Sequence, residues 1–273
     1  MKIGSQAQRS SSISASNADR VIVRGHDLTS ELIGQISLTD HFWLLLTGSL
    51  PSPPQRRMLD ATLVAIAEHG LVPSVVASRM TLAAAPDALQ GAVAAGLLGC
   101  GSVVLGSAEA AGQLFAQIAA RTPQADKEPD AFQAAIATSI QELRAEGRPI
   151  PGYGHPLHKA QDPRAQRLMA IAREVGVAGR HIDIAEHIGR ALPALIGRPL
   201  SINVSGAIAA VLLDAGYPLM ALKGVPILAR AASLIAHLLE EQQRPIGFVL
   251  AHAAAAAIDY DGPAPAGFEA SDE

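Results

Sequence analysis

The residues best suited to chemistry lie in one short stretch: Pro151, Gly152, Tyr153, Gly154, His155, Pro156, Leu157, His158 and Lys159, followed by Asp162, Pro163 and Arg164. Gly152 and Gly154 permit close approach of backbone to a ligand, and Pro156 biases His155 towards extended geometry, which displays the imidazole from a loop. Asp162 and Pro163 are the cap and first-turn proline of a helix that Arg164 then opens. A cation there opposes the helix dipole, and a bound anion would reverse the sign. Free N–H groups beside a guanidinium make a carboxylate or phosphate receptor. A surface loop with a capped helix and a solvated arginine is the plainer reading of the same residues.

The elements that position this stretch read as helices almost throughout. Leu59, Leu63, Ile66 and Gly70 recur at helical spacing before a break at Leu71, Val72 and Pro73. Leu168, Ile171, Ala172 and Val175 make the stripe of the helix begun at Asp162, and Gly176 ends it. A further run, Ile208, Val211, Leu212 and Ala215, follows Ser205 and Gly206, with Ser205 as its expected N-cap. The last well-patterned helix carries Leu228, Ala232, Ile235 and Leu239 on its apolar face, leaving Arg230, His237 and Glu241 as a solvated polar stripe. No strand alternation of useful length competes. Residues 122–129 and 148–156 read as loops.

Composition narrows the class. A chain of 273 residues is one or two domains with a substantial core. The net charge of −4, with no basic run beyond Arg56 and Arg57, lacks the footprint of a nucleic-acid binder. The single cysteine, Cys100, excludes an internal disulfide framework and makes the cytoplasm the expected compartment. Residues 1–18 are polar, unlike a secretory signal. Residues 88–108 are uncharged and long enough to span a bilayer, but they lack the aromatic belts of a span, and their five glycines with Gln90, Ser102 and Ser107 favour tightly packed interior helices over a membrane crossing. The histidines are scattered, so no metal site is expected, and no nucleotide-binding glycine loop is present.

The spacing Gly152, Tyr153, Gly154, His155, six residues, then Asp162, Pro163, Arg164 resembles the signature of the citrate synthase and citryl-CoA lyase family. Other landmarks follow in family order: Val23 to Asp27, Leu44 to Gly48 with Leu50 and Pro51, Glu68-His69-Gly70, Ile202-Asn203-Val204, and Arg230 through Glu240. The likeness is closest to the citryl-CoA lyase portion of ATP-citrate lyase. It implies an all-α fold with a large and a small helical domain and a site between them: residues 1–106 and 206–273 as the large domain, 107–205 as the small, CoA-side domain. It also implies a homodimer or higher homo-oligomer and small-molecule substrates: citryl-CoA, oxaloacetate and acetyl-CoA. Coenzyme A would enter as a thioester substrate, with no bound cofactor, nucleic acid or membrane.

Carried over by position, His155 handles the keto or hydroxyl oxygen, and His69, Arg164 and Arg230 hold the dicarboxylate. On its own pattern His69 caps the end of its helix instead. Gly152, Tyr153, Gly154, His158 and Lys159 fall where the family binds CoA, with His158 replacing a more basic residue. Arg244 falls near the arginine donated across the dimer, at a different spacing, and His237 is read as structural. Two positions depart from the family. The catalytic aspartate after Asn-Val is Ser205, whose hydroxyl is no general base at neutral pH. The histidine of the synthases' loop is Leu105, which cannot polarise a thioester. The implied reaction is cleavage of citryl-CoA or a similar 3-hydroxy-3-carboxyacyl-CoA by a carbon–carbon lyase. The alternatives are condensation of another acyl-CoA with a 2-oxo acid, and a non-catalytic dicarboxylate- or CoA-binding homologue.

Overall fold

The computed structural model describes residues 10–101, 105–123, 128–154 and 161–267. They form two compact units, one drawn from Met1–Ala65 and Ser107–Leu222, the other from Ile66–Gly106 and Lys223–Glu273. These cuts fall at 65, 106 and 222, whereas the sequence reading put them at 106 and 205. Residues 206–222 group with the first unit because the helix they continue packs against that unit's other helices.

The first unit opens on a three-stranded antiparallel sheet, β1 (Ser14–Ser16), β2 (Val21–Val23) and β3 (His26–Asp27). The sequence reading did not anticipate it, since two or three residues are too few to display an alternating pattern. Helix α1 (Leu38–Thr47) starts on a reciprocal capping box between Ser37 and Asp40 and stops at left-handed Gly48. Helix α2 (Pro53–Ala67) follows, its last residues belonging to the second unit. Helices α5 (Ser107–Arg121), α7 (Pro163–Glu174) and α8 (Arg180–Ile196) surround α9 (Val204–Asp214), and α6 (Pro129–Ala145) packs on α5 and α8. Every residue of α9 from Val204 to Leu212 is buried, and it packs on α5, α7 and α8. A helix apolar on all sides belongs in a core.

The second unit holds α3 (Pro73–Ala84), α4 (Leu89–Leu98), α10 (Gly224–Gln243) and α11 (Gly247–Ala256). Small residues set the approach of α4 to its neighbours: a Cβ on Gly96 would lie 2.6 Å from Leu234 Cδ1 and 2.9 Å from the Ser74 carbonyl oxygen. The uncharged window at 88–108 is thus divided between α4 and the start of α5.

The pattern of α10 corrects the sequence reading. Ala232, Ile235 and Leu239 are exposed, with Ile235 and Leu239 each at 55%. The supposed solvated stripe is the buried one, with Arg230 at 2% and Glu241 at 3%. Glu241 is held inside by Arg79, whose Nε donates over 2.7 Å, and by the N–H groups of Ile246 and Gly247. A carboxylate this well paired tolerates burial. Residues Leu219–Gln243 are also long and apolar enough, at a mean hydropathy of 1.6, to cross a bilayer by length and composition. Burial of Arg230, Ser233 and Glu241 on one face is instead the habit of a helix inside a protein with a polar interior.

Candidate active site

In the first unit, Asp162 organises the start of α7. Its carboxylate caps the helix through the Arg164 N–H at 3.0 Å and takes the Arg164 guanidinium on both oxygens, Nε at 3.1 Å and Nη2 at 2.9 Å. The same carboxylate accepts the Val204 N–H at 3.0 Å, joining α7 to the first turn of α9. Burial works to raise the Asp162 pKa, but Arg164 and the two N–H donors outweigh it and hold the carboxyl below its ordinary range. Arg164 therefore has a carboxylate partner within its own chain. Its exposed part, 21% of the side chain, lines a cavity of about 590 Å³ with Arg57, Val64, Arg167 and Leu168.

The loop leading to α7 is sealed onto α9. Gly152 has φ +84°, and a Cβ there would sit 2.8 Å from the Gly206 Cα; one on Gly206 would sit 2.5 Å from the Gly152 carbonyl oxygen. That oxygen accepts the Asn203 N–H at 2.9 Å, while Asn203 Nδ2 donates to the Gly154 carbonyl at 2.9 Å. The expected approach of Gly152 to a ligand is thus corrected to an approach to α9 backbone. Tyr153 is also corrected: it is 7% exposed and donates its hydroxyl to the Ala185 carbonyl at 2.6 Å, so its side chain serves the core rather than CoA. Gly154 has φ +80° and open space around it beyond Leu200. His155, His158 and Lys159 lie outside the described residues.

Ser205 is the second residue of α9 and is buried, at 9%. It is not the N-cap expected of it; Asn203 is, through Oδ1 accepting the Gly206 N–H at 3.1 Å. The position that carries the family's aspartate is thus held by two neighbours, Asn203 capping and Val204 bound to Asp162. Leu105 adopts a left-handed conformation, φ +67°, an uncommon one for a leucine.

In the second unit the outstanding residue is Arg230. It is buried, and among the described residues its Nε and Nη1 have no hydrogen-bond partner. Cys100 lies within its field: burial pushes the thiol pKa up and the Arg230 charge opposes that. His69 follows α2 by two residues and is half-buried. Its N–H and that of Gly70 donate to Glu68 Oε1, at 2.8 and 2.5 Å. Glu68 Oε2 accepts the Ser233 hydroxyl at 2.5 Å and His237 Nε2 at 2.9 Å, both from α10. Burial would raise the Glu68 pKa, yet the Ser233 and backbone donors with His237 bring it down to about 2. Sequence reasoning assigned Glu68 no role, and only its adjacency to His69 could have drawn notice. Arg244 ends α10 with 81% of its side chain exposed. Among the described residues no three His, Cys, Asp or Glu side chains gather as a metal would require.

A mainly helical fold thus places a buried arginine, Arg230, in one unit and seals a glycine loop onto a central helix, α9, in the other. The citrate synthase C-terminal domain family matches residues 23–247, and the chain belongs to the citrate synthase family. It is 26% identical over 196 residues to the putative citrate synthase 2 of Mycobacterium tuberculosis, covering 71% of this chain and 49% of that protein. Against the citrate synthase of Haloferax volcanii it is 24% identical over 210 residues, covering 74% and 51%. The chain spans about half the length of the curated relatives it matches. Among solved structures it is similar to the citryl-CoA lyase from Hydrogenobacter thermophilus, with a TM-score of 0.80, 31% identity, and coverage of 95% of this chain and 97% of that one. The ATP citrate lyase from Methanothrix soehngenii in complex with citrate and coenzyme A has a TM-score of 0.70 at 22% identity, covering 96% and 43%, a likeness of fold.

Proposed function

We propose that the protein is a carbon–carbon lyase of the citryl-CoA lyase type, cleaving citryl-CoA to oxaloacetate and acetyl-CoA. The observation that carries this reading is Arg230, a buried guanidinium whose Nε and Nη1 lack acceptors among the described residues. An unpaired buried charge is costly, and substrate carboxylate oxygens accepting from these N–H groups would offset the cost. The similarity to a citryl-CoA lyase over nearly the full length of both chains favours cleavage over condensation. In this scheme His155 takes the proton of the C3 hydroxyl, the bond from C3 to the CoA-bearing arm breaks, and the electron pair leaves as the enolate of acetyl-CoA, which solvent protonates. Arg230, His69 and the exposed edge of Arg164 hold carboxylates, and Gly154, His158 and Lys159 receive CoA.

Assembly as a homodimer is part of the proposal. Ile235 and Leu239 on α10, and Phe248 at 70% and Val249 at 62% exposure on α11, are exposed apolar side chains that a second copy would cover, and exposed Arg244 lies at the turn between these helices. A cytoplasmic location is proposed from the lone cysteine. The test is direct. Purified protein should release oxaloacetate and acetyl-CoA from citryl-CoA, and no release with intact oxaloacetate binding would overturn the lyase reading.

A second reading has its own observation. With serine where the family's aspartate stands, the chain would be a dicarboxylate- or CoA-binding homologue without turnover, and condensation of another acyl-CoA would need a different base. Ser205→Asp decides between a competent and an incompetent surround: gain of deuterium exchange into the acetyl-CoA methyl group is expected if the remaining site is intact.

A further inference from the structure

We infer that Glu68 is a positioning residue that fixes the carboxylate-binding histidine, His69, to the helix carrying Arg230. The inference rests on the proposal that His69 and Arg230 hold substrate carboxylates, and it adds a residue and a device that this proposal does not contain. An ionised carboxylate offers about four lone-pair sites on two oxygens. Glu68 divides them between two pieces of chain: Oε1 takes the N–H groups of His69 and Gly70, and Oε2 takes Ser233 and His237 of α10. Ser233 and His237 follow Arg230 by three and seven residues, so all three lie on one face of α10.

Residues 68–70 belong to neither α2, which ends at Ala67, nor α3, which begins at Pro73. Nothing helical therefore dictates the direction of the His69 backbone, and the Glu68 carboxylate supplies that direction. The side chain is 52% exposed and yet has four donors within 2.9 Å, a degree of engagement that a solvated surface glutamate does not need.

Serine, histidine and glutamate together invite comparison with a hydrolase triad, but the geometry is different. Ser233 Oγ and His237 Nε2 both address the same carboxylate oxygen, so the imidazole is not placed to deprotonate the serine. The cluster is a bracket, and its readout must be the placement of His69. Misplacement of a binding group by about 1 Å commonly costs on the order of a hundredfold in rate.

Two measurements test the bracket, one independent of any ligand. Amide hydrogen exchange on the full chain should accelerate at His69 and Gly70 in Glu68→Gln, and also in Ser233→Ala with His237→Asn, which opens the bracket from its other end. Unchanged exchange in both variants overturns the proposal whatever the protein binds. Calorimetric titration with oxaloacetate then reads the consequence. Glu68→Gln should weaken binding about tenfold to a hundredfold. His69→Asn should weaken it comparably, and the double variant no further than His69→Asn alone, because one residue acts through the other. Additive losses in that cycle overturn the positioning role. A wild type that fails to bind oxaloacetate, with protected His69 and Gly70 amides, refutes the carboxylate reading of His69 and with it the functional half of this inference.

Discussion

Two arginines were expected to do the same work, and the two regions that hold them differ in what they leave for a ligand. Arg164 already has a carboxylate: Asp162 takes it on both oxygens and ties it to α9. Arg230 is buried, and among the described residues its Nε and Nη1 have no acceptor. The difference teaches that a conserved-looking cation in a motif can be part of the frame, whereas a cation that the protein strands is the better index of a missing anion. Arg164 orders the start of α7 and α9 through Asp162, and on the proposed function its exposed edge and Arg230 would both meet substrate carboxylates.

The comparison breaks most sharply at Arg230. Truncating one member of a buried charged contact commonly costs about 2–5 kcal/mol of binding. Arg230→Met is thus expected to weaken oxaloacetate about thirtyfold or more by calorimetry, while the thermal midpoint of the unliganded protein holds or rises, since an unpaired buried charge has been removed. A fall in the midpoint would mean that Arg230 is paired after all. Arg164→Met should do the reverse. It leaves Asp162 buried without its cation, and a loss of about 2–3 kcal/mol in urea unfolding is expected, discounted for the partial exposure of the pair.

A smaller effect concerns the loop that Gly152 and Gly206 seal. Gly206→Ala forces a methyl group to within 2.5 Å of the Gly152 carbonyl oxygen, so the loop or the helix must shift, and overpacking of this kind costs about 1–3 kcal/mol. Urea unfolding and the KM for citryl-CoA would both register the shift.

The smallest effect is in acid. The folded pKa of Glu68 is lowered from 4.5 to about 2, so its contribution to stability is complete above the unfolded value and is lost as pH falls from about 4.5 through about 2. Because the side chain is 52% exposed, solvent screening limits the contribution to about 0.5–1 kcal/mol. Glu68→Gln should remove that part of the acid sensitivity, seen as a smaller difference between urea midpoints at pH 7 and pH 3.

Much of the frame was legible because its signals are local. Asp162, Pro163 and Gly176 delimit α7 as their chemistry requires, and the break before Pro73 falls between α2 and α3. The start of α9 was misread because Asn203 and Ser205 are both good caps two residues apart, and only the bond from Gly206 N–H to Asn203 Oδ1 separates them. The face of α10 was inverted because periodicity sorts residues by type. It cannot see that Glu241 meets Arg79 162 positions away in the chain. Glu68 escaped for the same reason, its partners being 165 and 169 positions distant.

The inverted helix has a consequence in the language of linked equilibria. One side of α10 carries Arg230 and the other presents Ile235 and Leu239 to the outside. On the proposed function, a second copy covering the outer side and a dicarboxylate held by Arg230 would draw on the same helix, and any coupling between them would be reciprocal. If a second copy steadies that helix, apparent affinity for a dicarboxylate would rise with the concentration of the protein itself, and dilution would act as an inhibitor that no competing small molecule resembles.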